Sequence, residues 1–589
     1  MNLAATPRQS MILSGLIQGA LMLALHEWFR ANGFQPLDLV WVAPAYALAI
    51  IAPLSFNFLR GEFAVGPSLR GAAVLAIGVA LTAAWFGWSS VAEGGPQQRF
   101  GPEMGGSFVF GLASFVVWFV GMPFVQARLR DGRFAFPYER LFDDAWRNTL
   151  LLANCIVFTG LFWILLALWA GLFMVLQMGF FKDLFTSRFF VYLATAVAIS
   201  FAASLEEKEA SALRTLRRHL LAFQTRLLPL AALILLLFLG ALPVAGLEPV
   251  WRTGHATPLM LSLQIVIIAL TNAAWQDGSQ PAPFSAPVQW LVRAALALLP
   301  VLSVLCIWSL SLRVGQHGWS IDRVWAAILV GLCTLYSLGY AANAALRGWL
   351  PRLGRVNSGM ALLLVGVLLA VHTPLLDPAR IATASQVGRL LAGTTEVGKF
   401  DFNYLRFSLG RAGDEALKGL AELADRPGAE TIRSRAKAAL AQQNRYAANE
   451  PPVPGPQDIR ARLTAYPKGS EIPESFISYL HARLLKQKFN YPLLALKSGA
   501  PVPLAALDLG GGPGAELVLM AAPYPVFTEQ EGRWRQIGTL NFSAPLPKPE
   551  DILRALEAGK LSPAPRQWND LRLDGRNALL MLNSDASID

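Results

Sequence analysis

Between Met11 and Leu375 the chain repeatedly runs for about 17 to 25 residues with almost no charge, the length an α-helix needs to cross a hydrocarbon layer of about 30 Å. Eleven runs of this kind are legible: Met11–Leu25, Leu39–Phe58, Ala72–Trp88, Phe108–Phe124, Leu150–Leu176, Phe190–Leu205, Leu227–Gly246, Leu259–Trp275, Trp290–Leu312, Val324–Leu346 and Met360–Leu375. The expected fold class is an α-helical polytopic membrane bundle over residues 1–375. Arg8 followed by an apolar run resembles a signal peptide, but ten more runs follow, so this segment reads as a retained first span. Pro44, Pro53 and Pro300 lie inside runs and predict kinks.

Between the sixth and seventh runs, Leu213, Leu216, Leu220, Phe223 and Leu227 recur at spacings of three and four, with Arg214, Arg217, Arg218 and His219 between them. That is one face of an amphipathic helix, suited either to anionic lipid or to the ends of neighbouring spans. From Asp377 the pattern changes to a soluble C-terminal domain, 376–589. Short helices are expected around Ile381–Leu391, Tyr404–Leu423 and Ile432–Leu440, then a proline-rich break at 450–456. A mixed α+β part follows over 457–589. It has a helix at Phe476–Leu485, strands at Leu504–Leu509, Glu516–Ala521, Tyr524–Glu529 and Arg533–Leu540, a helix at Glu550–Ala558 and a strand at Ala578–Leu582.

Composition agrees with this division. The 589 residues are 54% hydrophobic and only 15% charged, against roughly 25% charged in soluble proteins. Of the net charge of +11, +8 falls within residues 1–375, so the basic excess belongs to membrane loops, where it sets orientation, and nucleic acid is not an expected partner. With the N-terminus cytoplasmic, the inside loops carry 16 Lys and Arg and the outside loops 7. The bias predicts a multi-pass membrane protein with its N-terminus cytoplasmic and its C-terminal domain on the opposite side. The loop Gln276–Gln289, nominally inside, carries no Lys or Arg and is the weakest point of this topology. Arg293 lies near an end of the ninth span, where it could snorkel.

Candidate chemistry is sparse. No Asp or Glu falls inside any of the eleven runs, which disfavours proton-coupled transport. The polar residues within the spans, Gln18, Asn154, Gln264 and Asn272, read as hydrogen-bond partners between helices or as the lining of a polar cavity. Cys155, Cys306 and Cys333 all lie in apolar runs and read as packing residues, with no metal site and no disulfide framework. Gly393 to Lys399 has the spacing of a phosphate loop, but Phe400 replaces the hydroxyl that would hold magnesium. Gly510, Gly512 and Ala515 mimic a dinucleotide fingerprint, yet a strand-like run follows where a helix is needed. Asp508 and Glu516 flank the same glycine-rich stretch, too few oxygens for calcium, so it reads as a hairpin turn. No catalytic residue, cofactor or metal ligand is expected. Asp143, Asp144 and Arg147 lead into the fifth span, where acids favour a helix start; they are the candidates for a cytoplasmic gate or partner contact.

The run Tyr138-Glu-Arg-Leu-Phe-Asp-Asp-Ala-Trp146-Arg147-Asn148, the later Gly160–Phe173 and the string Lys399-Phe-Asp401-Phe-Asn-Tyr404-Leu-Arg406-Phe-Ser-Leu-Gly410-Arg411 resemble a bacterial membrane family catalogued as domain of unknown function 4153. The resemblance implies a multi-helix membrane region and a soluble C-terminal region, and it supplies no functional residues. Two function classes follow from the sequence. The first is transport or lipid handling of an unknown substrate within the lipid bilayer. The second is envelope assembly or sensing, with the spans anchoring a periplasmic domain that binds an envelope protein.

Overall fold

Every long apolar run is helical in the computed structural model, because backbone polar groups in lipid must be satisfied within the segment. The structure describes residues 6–33, 38–91, 105–134, 136–205, 210–252, 256–425, 427–442, 454–486, 493–497, 501–509, 515–521, 524–530, 532–540, 554–555, 557–558, 571–573 and 576–578. It divides into two compact units, Met1–Arg445 and Tyr446–Asp589.

The first unit contains α1 (Pro7–Asn32), α2 (Leu39–Arg60), α3 (Val65–Ser90), α4 (Gly105–Asp131), α5 (Tyr138–Val175), α6 (Phe180–Thr186), α7 (Arg188–Ala203), α8 (Ala210–Ala245), α9 (Glu248–Arg252), α10 (Ala256–Trp275), α11 (Ala286–His317), α12 (Ile321–Ala344) and α13 (Leu353–Val371). Among the described residues ten helices are long and apolar enough to cross a membrane. The short α6 and α7, bent by 67° at Ser187, make an eleventh span if counted together. The sixth run of the sequence, Phe190–Leu205, coincides with α7, and α6 precedes it. The amphipathic stretch before the seventh run is continuous with it as the single helix α8, on which Leu216, Leu220, Phe223 and Leu227 stay exposed.

Two interior clusters hold the bundle. Phe58, Leu59, Trp118, Met122 and Leu151 pack where α2, α4 and α5 meet α3 and α7. Leu228, Leu235, Ile267, Leu296, Leu299 and Tyr340 pack among α8, α10, α11 and α12. Large side chains such as Trp41, Leu81, Ile156, Leu165 and Val304 face outward, as lipid-facing positions must. Close approach of α1 to α7 depends on Gly15 and Gly19: a Cβ at Gly15 would stand 2.7 Å from the Ala196 carbonyl oxygen, and one at Gly19 2.8 Å from Leu193 Cα.

Four further helices complete the first unit, α14 (Pro378–Leu391), α15 (Phe402–Ser408), α16 (Gly410–Ala421) and α17 (Ala429–Ala441). They form a cap with its own core of Ala382, Leu390, Leu405, Leu417 and Ile432. Inside it Arg406 and Asp414, both almost fully buried, pair at 2.9 Å. The stretch Tyr404–Leu423, continuous by periodicity, breaks into two helices at Leu409. There Gly410, with φ +61°, lies so close to the Ser89 carbonyl at the end of α3 that a side chain would collide with it. The cap is tied to the bundle through backbone acceptors: Gln386 donates to the carbonyls of His317 and Trp319, Arg389 to Gly315 and Gln316, and Arg411 to Trp88 at 3.0 Å.

The second unit is a five-stranded sheet ordered β1 (Leu463–Tyr466), β2 (Val502–Leu507), β3 (Glu516–Leu519), β4 (Pro525–Gln530), β5 (Arg533–Thr539), parallel between β1 and β2 and antiparallel elsewhere. It also holds α18 (Pro456–Arg462), α19 (Glu474–Lys486), the single turn α20 (Leu494–Lys497) and a small pair, β6 (Leu571–Leu573) with β7 (Arg576–Ala578). Phe476, Ile477, Leu480 and Leu484 of α19 cover one face of the sheet against Leu504, Leu519 and Phe527. The four strands read from alternation are present with ends shifted by up to two residues, and β1 is an addition. Most of the expected helix Glu550–Ala558, the end of the strand Ala578–Leu582 and the glycines 510–514 lie outside the described residues. At the edges of that glycine stretch the Glu516 carboxylate is buried and accepts the Leu509 backbone N–H at 2.8 Å, which gives it a structural partner.

Candidate functional site

The membrane helices of the first unit run between two ends of different chemistry. At the end where α3 and α13 finish and α4 and α12 begin, the cap helices roof a cavity of about 650 Å³. One wall is a run of rings: Phe86 stacks on Phe110 at 4.4 Å, Phe110 meets His372 edge-on at 5.1 Å, and His372 lies 6.3 Å from Trp325. Val91, Val109, Val371, Phe407 and Leu409 extend the apolar surface. The polar groups sit toward the roof. Asp377 caps α14 by accepting the Ala379 N–H at 2.8 Å, and its other oxygen accepts the Trp85 indole N–H at 3.1 Å. Tyr404 accepts the Ile321 backbone N–H at 3.1 Å, which leaves its own proton to donate. Asp322 in the first turn of α12 completes this edge, with Ser89, Ser90 and Ser408.

The charge state of this lining follows from its contacts. His372 Nδ1 lies 2.9 Å from the Leu368 carbonyl, which can only accept, so Nδ1 carries the proton and Nε2 is the acceptor of the neutral ring. Burial holds the His372 pKa below its ordinary value despite that bond and the nearby Asp377 carboxylate. Burial likewise raises the Tyr404 phenol. Among the described residues that line it, the cavity therefore presents two carboxylates, neutral rings and hydroxyls, and no Lys or Arg. A mainly apolar chamber with a few convergent polar groups is the form of a small-molecule site.

The opposite end gathers the charged residues singled out in the sequence. Arg130 at the end of α4 holds the Asp144 carboxylate with two bonds of 3.1 and 3.2 Å and also pairs with Glu62 of the α2–α3 turn. Arg147 reaches the other oxygen of Glu62 at 2.5 Å. Asp143 pairs separately with Arg217 of α8 at 2.8 Å, and that guanidinium lies 4.9 Å over the Phe142 ring. The three candidates thus join α2, α4, α5 and α8 through Glu62, Arg130 and Arg217. Behind them Gln126 and Asn148, both fully buried, exchange amide hydrogen bonds of 3.0 and 3.1 Å. Burial alone would raise the Glu62 pKa, but Arg147 and Arg130 outweigh it and hold the carboxyl below its ordinary value.

The intramembrane polar candidates are not brought together. Gln18 of α1 donates to the Ile50 carbonyl of α2, Asn154 of α5 to the Ala202 carbonyl of α7 at 3.1 Å, and Gln264 of α10 to Ser303 of α11 at 2.5 Å. Ser303 in turn bonds Ser337 of α12 at 3.0 Å. Asn272 accepts from Asn357, which also accepts from Tyr340. Each links neighbouring helices. Arg293, which lies near a span end where it could snorkel, donates to the carbonyls of Ala344, Leu346 and Gly348 at the end of α12, where a cation is favoured by the helix dipole. In the phosphate-loop look-alike, Lys399 pairs with Glu396 at 3.0 Å and Phe400 is buried in the cap core.

Sequence reading missed the cavity because its walls come from residues near 85, 110, 322, 372, 377 and 404 in the chain. The one local signal is Asp377 before Pro378, a helix start placed directly after an apolar run. A family model described as "Domain of unknown function (DUF4153)" matches residues 47–423, a span that contains both ends of the bundle and most of the cap. No curated protein matches the chain, and no solved structure does.

Proposed function

Because the chain belongs to the DUF4153 family, whose description carries no activity, its role has to be read from its own geometry, and we propose that it handles an amphipathic, lipid-like molecule at one face of the membrane. The observation that carries this reading is the cavity of about 650 Å³ between the bundle end and the cap, apolar over most of its wall and polar along one edge. It lies at the ends of membrane-spanning helices, the depth at which a lipid keeps its head in water and its chain in hydrocarbon. Handling in place is favoured over passage across the bundle, because Gln18, Asn154 and Gln264 bond neighbouring helices rather than lining a path. The excess of Lys and Arg at the ion-pair end supports an inner-membrane orientation with that end cytoplasmic and the cap and second unit outside.

A second reading, an envelope sensor or assembly protein anchored by its spans, draws on the separate core of the second unit around Phe476 and Phe527. Photo-crosslinking of the purified chain with a diazirine-bearing phospholipid discriminates between the two. Lipid handling expects adducts on the peptides around Trp85–Val91 and Tyr404–Gly410. Adducts confined to outward residues such as Trp41 and Leu81 would overturn it and leave the anchoring role.

A further inference from the structure

We infer that the cavity selects amphiphiles whose head carries a positively charged amine. This inference rests on the proposal that the cavity takes a lipid-like molecule, and it adds the chemistry of the head.

Among the described residues that line the cavity, the charged side chains are Asp322 and Asp377, both acids. Asp377 is almost fully buried and accepts from N–H groups of Trp85, Ala379 and Arg380, neutral donors that bring no counter-charge. Asp322 stands at the exposed rim on the same edge. Of the neighbouring cations, Arg323 donates to the Gly318 carbonyl at 2.8 Å while still acting on the Tyr404 phenol, and Arg411 bonds the Trp88 carbonyl and covers that indole at 4.5 Å. His372 contributes no charge in its neutral tautomer. An anionic head such as a phosphate alone would meet two carboxylates and, among the described lining residues, neutral donors in place of a cation. An ammonium head would find carboxylates, an acceptor nitrogen on His372 and the faces of an aromatic wall, the combination that attracts cations out of water. The apolar Val109, Phe110 and Val371 surface below accommodates the chain of the same molecule.

The ammonium can belong to an aminophospholipid or to a free long-chain amine, and mass separates the two. Native mass spectrometry of the full chain released from neutral maltoside micelles would compare a long-chain alkylamine, phosphatidylethanolamine, phosphatidylglycerol and diacylglycerol at equal mole fraction. The inference expects the amine-bearing molecules to bind about tenfold tighter than phosphatidylglycerol and diacylglycerol. The D322N/D377N double variant should lose that preference while still binding diacylglycerol, since Asn at 377 still caps α14. Retained uptake of diacylglycerol doubles as the check that the variant is folded, and the single variant D322N, which leaves the Asp377 cap of α14 intact, should lose part of the preference. Equal binding of all four, or an unchanged preference in the double variant, would overturn the amine selectivity and leave the lipid cavity standing. Binding of none of the four to the wild-type chain would overturn both.

Discussion

Arg130 satisfies two carboxylates from different elements at once, Asp144 of its neighbouring helix and Glu62 of a turn, and Arg147 shares the second. Removing the shared cation leaves Asp144 without its ion-pair partner, so Arg130→Ala should destabilise the protein by about 2 kcal/mol, a moderate value for a half-buried pair. Glu62→Gln should cost less, since both cations stay in place and the one amide oxygen still accepts from one of them. Thermal unfolding in neutral detergent measures both. The sign of the pH dependence follows from Glu62. Its folded pKa lies below the ordinary 4.5, so its contribution is fully present above that pH and is lost as pH falls through the folded value. Wild type should therefore lose thermal stability below about pH 4.5 more steeply than Glu62→Gln; parallel curves would show that Glu62 does not hold this end. The sequence showed Asp143, Asp144 and Arg147 as a local group. Their partners at 62, 130 and 217 are distant in sequence, and no residue spacing reports such distances.

At the scale of elements, hydropathy was informative because lipid enforces it: an apolar run must be about as long as the hydrocarbon is thick, and α1 to α5, α8 and α10 to α13 each hold one such run, with α5 and α8 extending well beyond theirs at the N-terminal side. Less legible were breaks imposed by neighbours. The bend between α6 and α7 and the break of Tyr404–Leu423 at Gly410 depend on what packs against them, Ser89 in the second case. The same holds for Gly15 and Gly19, a pair four residues apart in the sequence whose purpose appears only against α7. Gly19→Val should overpack that contact and destabilise by about 1 to 3 kcal/mol. Gly160→Val on α5, where no atom lies within 4 Å of an added Cβ, should be close to neutral. Equal melting temperatures for the two variants would contradict close α1–α7 packing.

At the scale of the whole first unit, ion pairs clamp the α2–α3 turn, α4, α5 and α8 at one end, and a mainly apolar cavity, the proposed amphiphile site, lies under the helical cap at the other. Thr394, exposed on the cap, and Ser279, exposed in the turn after α10, mark these ends. The direct test replaces Cys155, Cys306 and Cys333, introduces a single cysteine at Thr394 or Ser279, and labels intact and lysed cells with a membrane-impermeant thiol reagent. The account expects the cysteine at 394 to label in intact cells and the one at 279 only after lysis. Labelling of 279 but not 394 in intact cells would reverse the orientation, and labelling of both from one side would contradict a membrane-spanning bundle with its cavity and its ion pairs at opposite faces.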